Sequence, residues 1–222
     1  MKAPKKVSEE LAEEIGWHIG DGSMNFYNNR GTLRGLYQLR GHIEDDQQHY
    51  EKRIKPIFEK LFKIKIRIRK MPSTRVIGFQ IWNNDLVKFK EKFGLPLGKK
   101  RKITIPQKLL KTESLKKAVL KGIFDTDGGI YLEKKNGKLY PIIYITTISK
   151  ELSNQLLKCF KELKFRATKY SQLYNKKFNR QRAYFIRIRG KEMFQRFMKE
   201  INPKNPKHQE KYKYFLTHKT YK

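Results

Sequence analysis

The same short phrase occurs twice in this chain, and this repeat constrains the fold more than any other feature. GWHIGDGSM spans residues 16–24, GIFDTDGGI spans residues 122–130, and each places an aspartate directly before a glycine. When Asp21 is aligned with Asp127, at an offset of 106 residues, most apolar positions stay in register along the two halves. A self-similarity of this length indicates that one structural unit is built twice.

Each half predicts the same order of elements. A helix ends at the Asp-Gly step, and two strands, a longer helix, two more strands and a short helix follow. The expected strand pairs and longer helices are 23–30 with 33–42, 129–135 with 139–148, and the helices 45–62 and 149–163. Asn136-Gly137 favours a tight hairpin turn, because both residues tolerate positive φ. GLPLGKK (94–100) also matches INPKNPK (201–207). The predicted class is therefore α+β with two antiparallel sheets.

Several predicted strands alternate apolar with polar residues. KIKIRIRK (63–70) places three isoleucines on one face and cations on the other, which predicts a strand that covers a core with one side. Arg, Asn and Gln side chains can read base edges in a DNA major groove, which admits a two-stranded ribbon. The residues we expect to face DNA are Asn25, Tyr27, Asn29, Arg30, Arg34, Gln38, Arg67, Arg69, Tyr131, Lys135, Arg187 and Arg189. For any single strand, a polar face that meets only water is the alternative.

The charge of the chain favours a polyanionic partner. Lys and Arg number 52 against 21 acidic residues, which gives a formal net charge of +31 in 222 residues. Nucleic acid is the expected partner, because each cation on a phosphate backbone releases counterions. One cysteine and five scattered histidines exclude a disulfide framework and a Cys-rich zinc site. The N-terminus resembles no secretory signal and no apolar run could cross a bilayer, so we expect a cytoplasmic protein.

Small residues in both repeated helices predict that these helices pack side by side. The small residues, spaced four apart in each helix, are Gly16, Gly20, Gly122 and Thr126. Asp21 and Asp127 would then lie together at the C-terminal helix ends, where the helix dipole and their mutual repulsion disfavour both charges. Mg²⁺ would relieve this, since it binds one or two carboxylates together with water and phosphate oxygens. We expect the two aspartates to be catalytic metal ligands in phosphodiester hydrolysis.

These repeated phrases resemble a known motif. LKGIFDTDG (120–128) is similar to the LAGLIDADG motif of homing endonucleases, and EIGWHIGDG (14–22) looks like a more diverged first copy. The resemblance covers nearly the whole chain. It implies a two-motif monomer whose pseudo-symmetric αββαββα halves form a saddle of antiparallel sheets over the DNA major groove. It also implies an Mg²⁺-dependent enzyme of intron homing that cuts both strands of a long, asymmetric double-stranded site and leaves short 3′ overhangs.

The resemblance implies roles for individual residues. The acidic residue before the last glycine of the motif binds metal in the family, which implies this role for Asp21 and Asp127. Many members place a basic residue or glutamine near the end of the second strand of each half. This implies catalytic support from Arg40 and His42 in the first half and from Lys150 in the second.

The expected organisation is an N-terminal half at 1–110, a linker at 111–114 and a C-terminal half at 115–222. The chain shows no splice-junction chemistry, so we expect an intron-encoded or free-standing enzyme rather than an intein insert. Two other functions fit the same basic scaffold: an RNA-binding intron maturase and a non-catalytic DNA-binding regulator. Both aspartates favour the nuclease over the regulator, whereas electrostatics alone do not separate DNA from RNA.

Overall fold

The computed structural model of this chain describes residues 1–173 and 182–218. The elements of the first half are α1 (Glu9–Asp21), β1 (Gly22–Asn29), β2 (Thr32–His42), α2 (Ile43–His49), α3 (Lys55–Phe62), β3 (Arg69–Met71), β4 (Val76–Trp82) and α4 (Asn84–Phe93). Those of the second half are α5 (Glu113–Asp127), β5 (Gly128–Lys135), β6 (Lys138–Thr147), α6 (Lys150–Glu162), β7 (Ala167–Leu173), β8 (Arg182–Arg189), α7 (Lys191–Glu200) and α8 (Pro206–Thr217).

The described strands form two antiparallel sheets with the same connectivity. Their orders are β1-β2-β4-β3 and β5-β6-β8-β7. The predicted α+β class and the αββαββα order of both halves are therefore confirmed, and α8 follows the second half as an additional helix.

Two-residue turns close the first hairpin of each half. Arg30 and Gly31 have φ of 50° and 79°, and Asn136 and Gly137 have φ of 50° and 71°. Two successive residues with positive φ are typical of a type I′ turn, whose twist matches that of the strands it joins. These turns fix the strand register, which determines the side chains that share each sheet face.

The helix predicted at 45–62 is present but contains an irregular turn. A π-helical segment, Tyr50–Ile54, joins α2 to α3, and the backbone N–H of Lys55 donates to the carbonyl oxygen of Tyr50. Pro56 explains this irregularity, because a proline inside a regular helix lacks one donor and clashes with the carbonyl four residues earlier. The wider turn accommodates the proline ring without ending the helix.

The strand predicted at 63–70 forms only in part, which corrects the prediction. Pairing with β4 begins at Arg69, and no described strand pairs with residues 64–68. The backbone N–H of Ile66 instead donates to Glu59 Oε1 at 2.9 Å. The predicted alternation nevertheless holds, because the isoleucines are buried or half-buried and the cations between them are exposed.

Aromatic side chains fill the space between the helices and the inner face of each sheet. The first half buries Trp17, Tyr37, Phe58 and Phe79, and the second half buries Phe124, Phe160 and Phe197. α1 and α5 join these groups into one continuous core. Among the helices of residues 1–173 and 182–218, none is both long and apolar enough to cross a membrane.

Candidate active site

Helices α1 and α5 lie in backbone contact with each other. A methyl group built on Gly16 would lie 2.5 Å from the carbonyl oxygen of Val119, and one built on Gly122 would overlap the carbonyl oxygen of Glu13. Neither position has room for a Cβ atom, so only glycine permits this approach. The small residues of the two repeated phrases therefore bring the helix axes together.

The two helices end at the aspartates of the repeated phrases. Asp21 is the last residue of α1 and Asp127 the last residue of α5, and the glycine after each is in an extended conformation. A methyl group built on Gly20 would lie 3.3 Å from Asp127 Cγ, so the Asp127 carboxyl group lies against the last turn of α1. The structure therefore brings both carboxyl groups to the same end of the helix pair.

Burial and mutual repulsion raise the pKa of both carboxyl groups. Burial, followed by the charges of Asp127 and Asp46, raises the pKa of Asp21 to about 8. Burial raises the pKa of Asp127 to about 6 against the opposing charges of Lys100 and Lys207. The repulsion between the two carboxylates raises the pKa of whichever group loses its proton second, which here is Asp21. Near neutral pH, one carboxyl group keeps its proton unless a cation neutralises it.

Two lysines that were not predicted from the sequence lie beside the aspartate pair. Lys100 Nζ donates to two carbonyl oxygens in the last turn of α1, and Lys207 Nζ donates to Asp46 Oδ1 at 2.9 Å. They are the last residues of the matching segments 94–100 and 201–207, so the repeat contained a signal for both. Each places a positive charge where it lowers the pKa of the aspartates.

The π-helical segment adds a hydroxyl group to the site on one side. Tyr50 Oη donates to Asp21 Oδ2 at 3.3 Å. The position 106 residues later is Leu156, which has no polar group to offer. The surroundings of the two aspartates therefore differ although their helices are repeated.

A third aspartate of the repeated phrases holds a loop. Asp125 accepts hydrogen bonds of 2.9 to 3.0 Å from the backbone N–H groups of Lys204 and Asn205. Burial raises the pKa of Asp125 to about 7, and these hydrogen bonds oppose the rise. Asn205 Nδ2 also donates to Asp46 Oδ1 at 2.7 Å. The segment that leads to Lys207 is thus fixed by side chains from both halves.

The acidic groups suit a hydrated divalent cation. Asp21 and Asp127 are half-buried, and the described residues contain no group of three or more His, Cys, Asp or Glu side chains arranged to hold an ion. Mg²⁺ usually takes one or two carboxylates and completes its shell with water and substrate phosphate oxygens. This donor set therefore fits a cation that is shared with a phosphate rather than enclosed by protein.

The predicted supporting residues make no direct described contact with the aspartate pair. Arg40 is exposed on β2 opposite Gly78, and His42 Nδ1 lies 3.4 Å from the Asp45 carboxylate at the end of the same strand. Lys150 is the exposed first residue of α6. Among the hydrogen bonds and ion pairs of the described residues, none joins these three side chains to the aspartate pair.

The outer face of the first sheet, here the first open face, is polar and basic. Its cross-strand rows are Ser23–Gln38–Gln80, Asn25–Leu36–Trp82 and Arg40–Gly78–Arg69. Tyr27 and Arg34 are paired beyond these rows, and the Arg34 guanidinium lies 5.4 Å from the Trp82 ring centroid. Arg30 is exposed at the hairpin turn and Arg67 in the segment before β3, whereas the side chain of Asn29 lies outside what the structure describes.

The corresponding face of the second sheet, here the second open face, is more aromatic. Its rows are Gly129–Tyr144–Arg187–Thr168, Tyr131–Ile142–Arg189 and Thr146–Phe185–Tyr170. Tyr131 is 58% exposed, and Lys135 is exposed at the end of β5. The residues predicted to face DNA in this half therefore share one sheet face.

Comparison with known proteins adds family and fold information. Residues 114–202 match the family model of the LAGLIDADG-like domain. Over 154 residues, which are 68% of this chain, the sequence is 35% identical to the replication factor C small subunit of Methanocaldococcus jannaschii, and the match spans 7% of that protein's length.

Solved structures share the fold over most of the chain. Mesophilic variants of the homing endonuclease I-DmoI superpose with a TM-score of 0.63 at 14% identity, covering 88% of this chain and 97% of theirs. I-DmoI in complex with DNA and Ca gives a TM-score of 0.62 at 16% identity, covering 87% and 88%. The meganuclease I-AabMI bound to uncleaved DNA gives 0.57 at 12% identity, covering 96% and 94%.

Proposed function

We propose that this chain, of which residues 114–202 match the LAGLIDADG-like domain, is a site-specific double-strand DNA endonuclease, a homing endonuclease that hydrolyses phosphodiester bonds with a divalent metal. The observation that carries the proposal is the pair of carboxyl groups, Asp21 and Asp127, which share one end of the α1–α5 pair. Burial raises the pKa of both carboxyl groups although Lys100 and Lys207 oppose the rise, which supports a site that takes up a cation.

Duplex DNA is the proposed substrate, and a long, asymmetric target would lie across both open faces. The net charge of +31 supports a phosphate backbone as the partner. I-DmoI has been solved with DNA and Ca or Mn, and I-AabMI with uncleaved DNA. We propose that this chain also acts as a monomer, with residues 1–110 and 115–222 each facing one half of the target.

The chain's own residues would hold and tune the reacting groups. Asp21 and Asp127 would hold Mg²⁺, which when bound supplies an activated water and stabilises the attacking and leaving oxygens. Tyr50 orients the Asp21 carboxylate through its hydrogen bond. Lys100 and Lys207 place positive charge where negative charge develops on the phosphate. The two pseudo-symmetric halves would each direct the cutting of one DNA strand. We propose that the two cuts are staggered and leave short 3′ overhangs.

A cleavage assay on a plasmid library of candidate insertion sites tests this function. We expect Mg²⁺-dependent double-strand cuts at one site, and we expect Asp21→Asn and Asp127→Asn each to slow cutting by about 10³-fold or more. Both variants should still bind the same duplex in Ca²⁺, because they retain the open faces. Asp85→Asn, which alters an exposed aspartate in the first turn of α4, is the matched control and should cut normally.

Three outcomes would contradict the proposal in different ways. Cutting at the normal rate by either aspartate variant would show that the site assignment is wrong. Tight, salt-sensitive binding of duplex DNA without cutting would favour a regulator on the same scaffold. Binding of intron RNA in preference to duplex DNA would favour a maturase.

A further inference from the structure

The two open faces occupy equivalent places in the repeat but offer different chemistry. At the end of each sheet next to the helix pair, the first open face presents the row Arg40–Gly78–Arg69 and the second presents Thr146–Phe185–Tyr170. One row carries two cations, and the other carries two aromatic rings and two hydroxyl groups. A target read by both faces therefore meets two unlike surfaces.

Aromatic side chains form a basin on the second open face. The rings of Tyr170 and Phe185 stack with centroids 4.7 Å apart and planes 7° apart, and the Arg187 guanidinium lies 4.2 Å from the Tyr170 centroid. We call this the aromatic basin; it has a volume of about 360 Å³, and its lining also includes Tyr131, Ile142, Tyr144, Glu133 and Arg189. Four aromatic rings and Ile142 thus lie beside charged side chains in this basin.

The orientation of the rings indicates what the basin can bind. Tyr170 and Phe185 are direct cross-strand partners, and their separation equals the usual spacing of neighbouring strands. The stack therefore runs across the strands, so that the rings stand upright and point their edges away from the sheet. The two rings engage each other, and the Arg187 guanidinium also lies over the Tyr170 ring. The upright edges of the stack offer apolar contact to a groove wall.

Only one base presents an apolar group in the major groove. The 5-methyl group of thymine is that group, and apolar side chains recognise it by contact. The cavity on the first open face is smaller, about 100 Å³, and this face places Gln38 and Gln80 where the second has Tyr144 and Arg187. Amides suit adenine edges, so the two faces favour different base edges.

We propose that the aromatic basin is a thymine-methyl subsite, through which the second half of the protein reads thymines in its half of the target. Arg187 and Arg189, which also line the basin, would donate to guanines next to those thymines. This inference rests on the proposed DNA function and adds the base class that the second half prefers. The expected target is accordingly asymmetric, with thymines clustered in one half.

Replacement of thymine by deoxyuridine tests the subsite, because it removes only the methyl group. The full chain would select duplexes from a randomised DNA library in Ca²⁺, and each thymine of the best duplex would then be replaced singly. We expect about fourfold weaker binding for each methyl group that the basin covers, since burial of one such group is worth about 0.8 kcal/mol. Thymines outside this half-site should show no such loss.

Variants assign the effect to the basin. Phe185→Ala should abolish the loss caused by deoxyuridine, whereas Phe185→Leu, which keeps an apolar side chain, should retain it. Gln80→Ala on the first open face is the matched control and should also retain it. Thermal unfolding of each variant checks that the sheet is intact, and Phe185→Leu keeps the test valid if Phe185→Ala fails to fold.

The possible failures are distinguishable. A duplex that is bound and cut but shows no sensitivity to deoxyuridine would overturn the subsite and leave the endonuclease in place. A sensitivity unchanged in Phe185→Ala would likewise overturn the subsite. No selection of duplex DNA, with tight binding of single-stranded RNA instead, would overturn both proposals.

Discussion

The Asp21 carboxyl group lies among groups that oppose one another. The groups that act on it are Tyr50, Asp46, Asp127, Lys100 and Lys207. Two positive charges lower its pKa, but burial and two carboxylates outweigh them and raise it to about 8. A cation would reverse this balance, because it favours the deprotonated form of its ligands. The site is therefore electrostatically incomplete as a set of side chains.

We expect the metal-free protein to lose stability as the pH rises from 7 to 9. A carboxyl group whose pKa is about 8 when folded and 3.8 when unfolded binds its proton more tightly in the folded state. Its contribution is therefore present at low pH and lost as the pH rises through about 8. Buried histidines such as His18, whose pKa burial lowers, are neutral in both states above pH 7. Denaturation in EDTA should show a decrease of about 1 kcal/mol in the free energy of unfolding.

Variants identify the carboxyl group that causes this decrease in the free energy of unfolding. Asp21→Asn should remove most of the decrease, and Asp45→Asn should leave it unchanged. Added Mg²⁺ should reduce it in the unaltered protein. A full slope in Asp21→Asn would mean that another carboxyl group is responsible, with Asp125, whose pKa is about 7, as the next one to change.

At the scale of elements, one substitution tests the α1–α5 contact, because the contact decides whether the free energy of unfolding rises or falls. Gly→Ala inside a helix ordinarily stabilises it by about 0.5–1 kcal/mol. At Gly122 the added methyl group would overlap the Glu13 carbonyl oxygen, which is backbone and cannot rotate away. We expect Gly122→Ala to lower the free energy of unfolding by about 1–3 kcal/mol. Thermal or chemical denaturation measures this, and a gain in stability would show that the helices are farther apart.

Local chemistry made some elements predictable from the sequence and left others beyond it. The Asn136-Gly137 turn follows from residues whose own conformational preferences decide the backbone. The ends of α1 and α5 lie at the predicted Asp-Gly steps, but the glycines there adopt extended backbone rather than the left-handed conformation usual at a helix end. The strand at 63–70 was overpredicted, because alternation reports which side is buried but not where a partner strand begins. The π-helical turn before Pro56 was not predicted, because a proline indicates that a helix is disturbed but not whether it ends, kinks or widens there.

The site shows the same division. The aspartate pair follows from the repeat and from small residues at helical spacing. Lys207 reaches the site only because Asp125 and Asn205 hold the loop before it, and those contacts join residues about 80 positions apart. Lys100 and Lys207 end matching segments of the repeat, but no sequence pattern places them beside the carboxylates.

The whole molecule combines a symmetric frame with unlike surfaces. Sheet order, hairpin turns and helix ends repeat, whereas the side chains around the two aspartates do not. Tyr50 of the first half corresponds to Leu156 of the second. The two arginines of the row Arg40–Gly78–Arg69 likewise correspond to a row that carries two aromatic rings. A duplicated chain can diverge in this way, because each half contacts a different part of its ligand.

This asymmetry predicts that the two DNA strands are cut at different rates. Arg40 and Arg69 flank Gly78 at the end of the first sheet beside the helix pair, and the equivalent row of the second sheet has no cation. A guanidinium group near a reacting phosphate stabilises the charge that develops on it. We therefore expect one preferred strand to be nicked first, so that nicked circles accumulate before linear DNA appears.

Strand-specific labelling would measure the order, and Arg40→Ala would test its cause. Loss of the guanidinium should slow the faster cut by about 10²-fold and leave the slower cut nearly unchanged, so that the two rates approach each other. Arg30→Ala, which alters an exposed arginine at the hairpin turn, is the control and should weaken binding without changing the order. Equal slowing of both cuts by Arg40→Ala would place its effect in DNA binding rather than in the reaction at one strand.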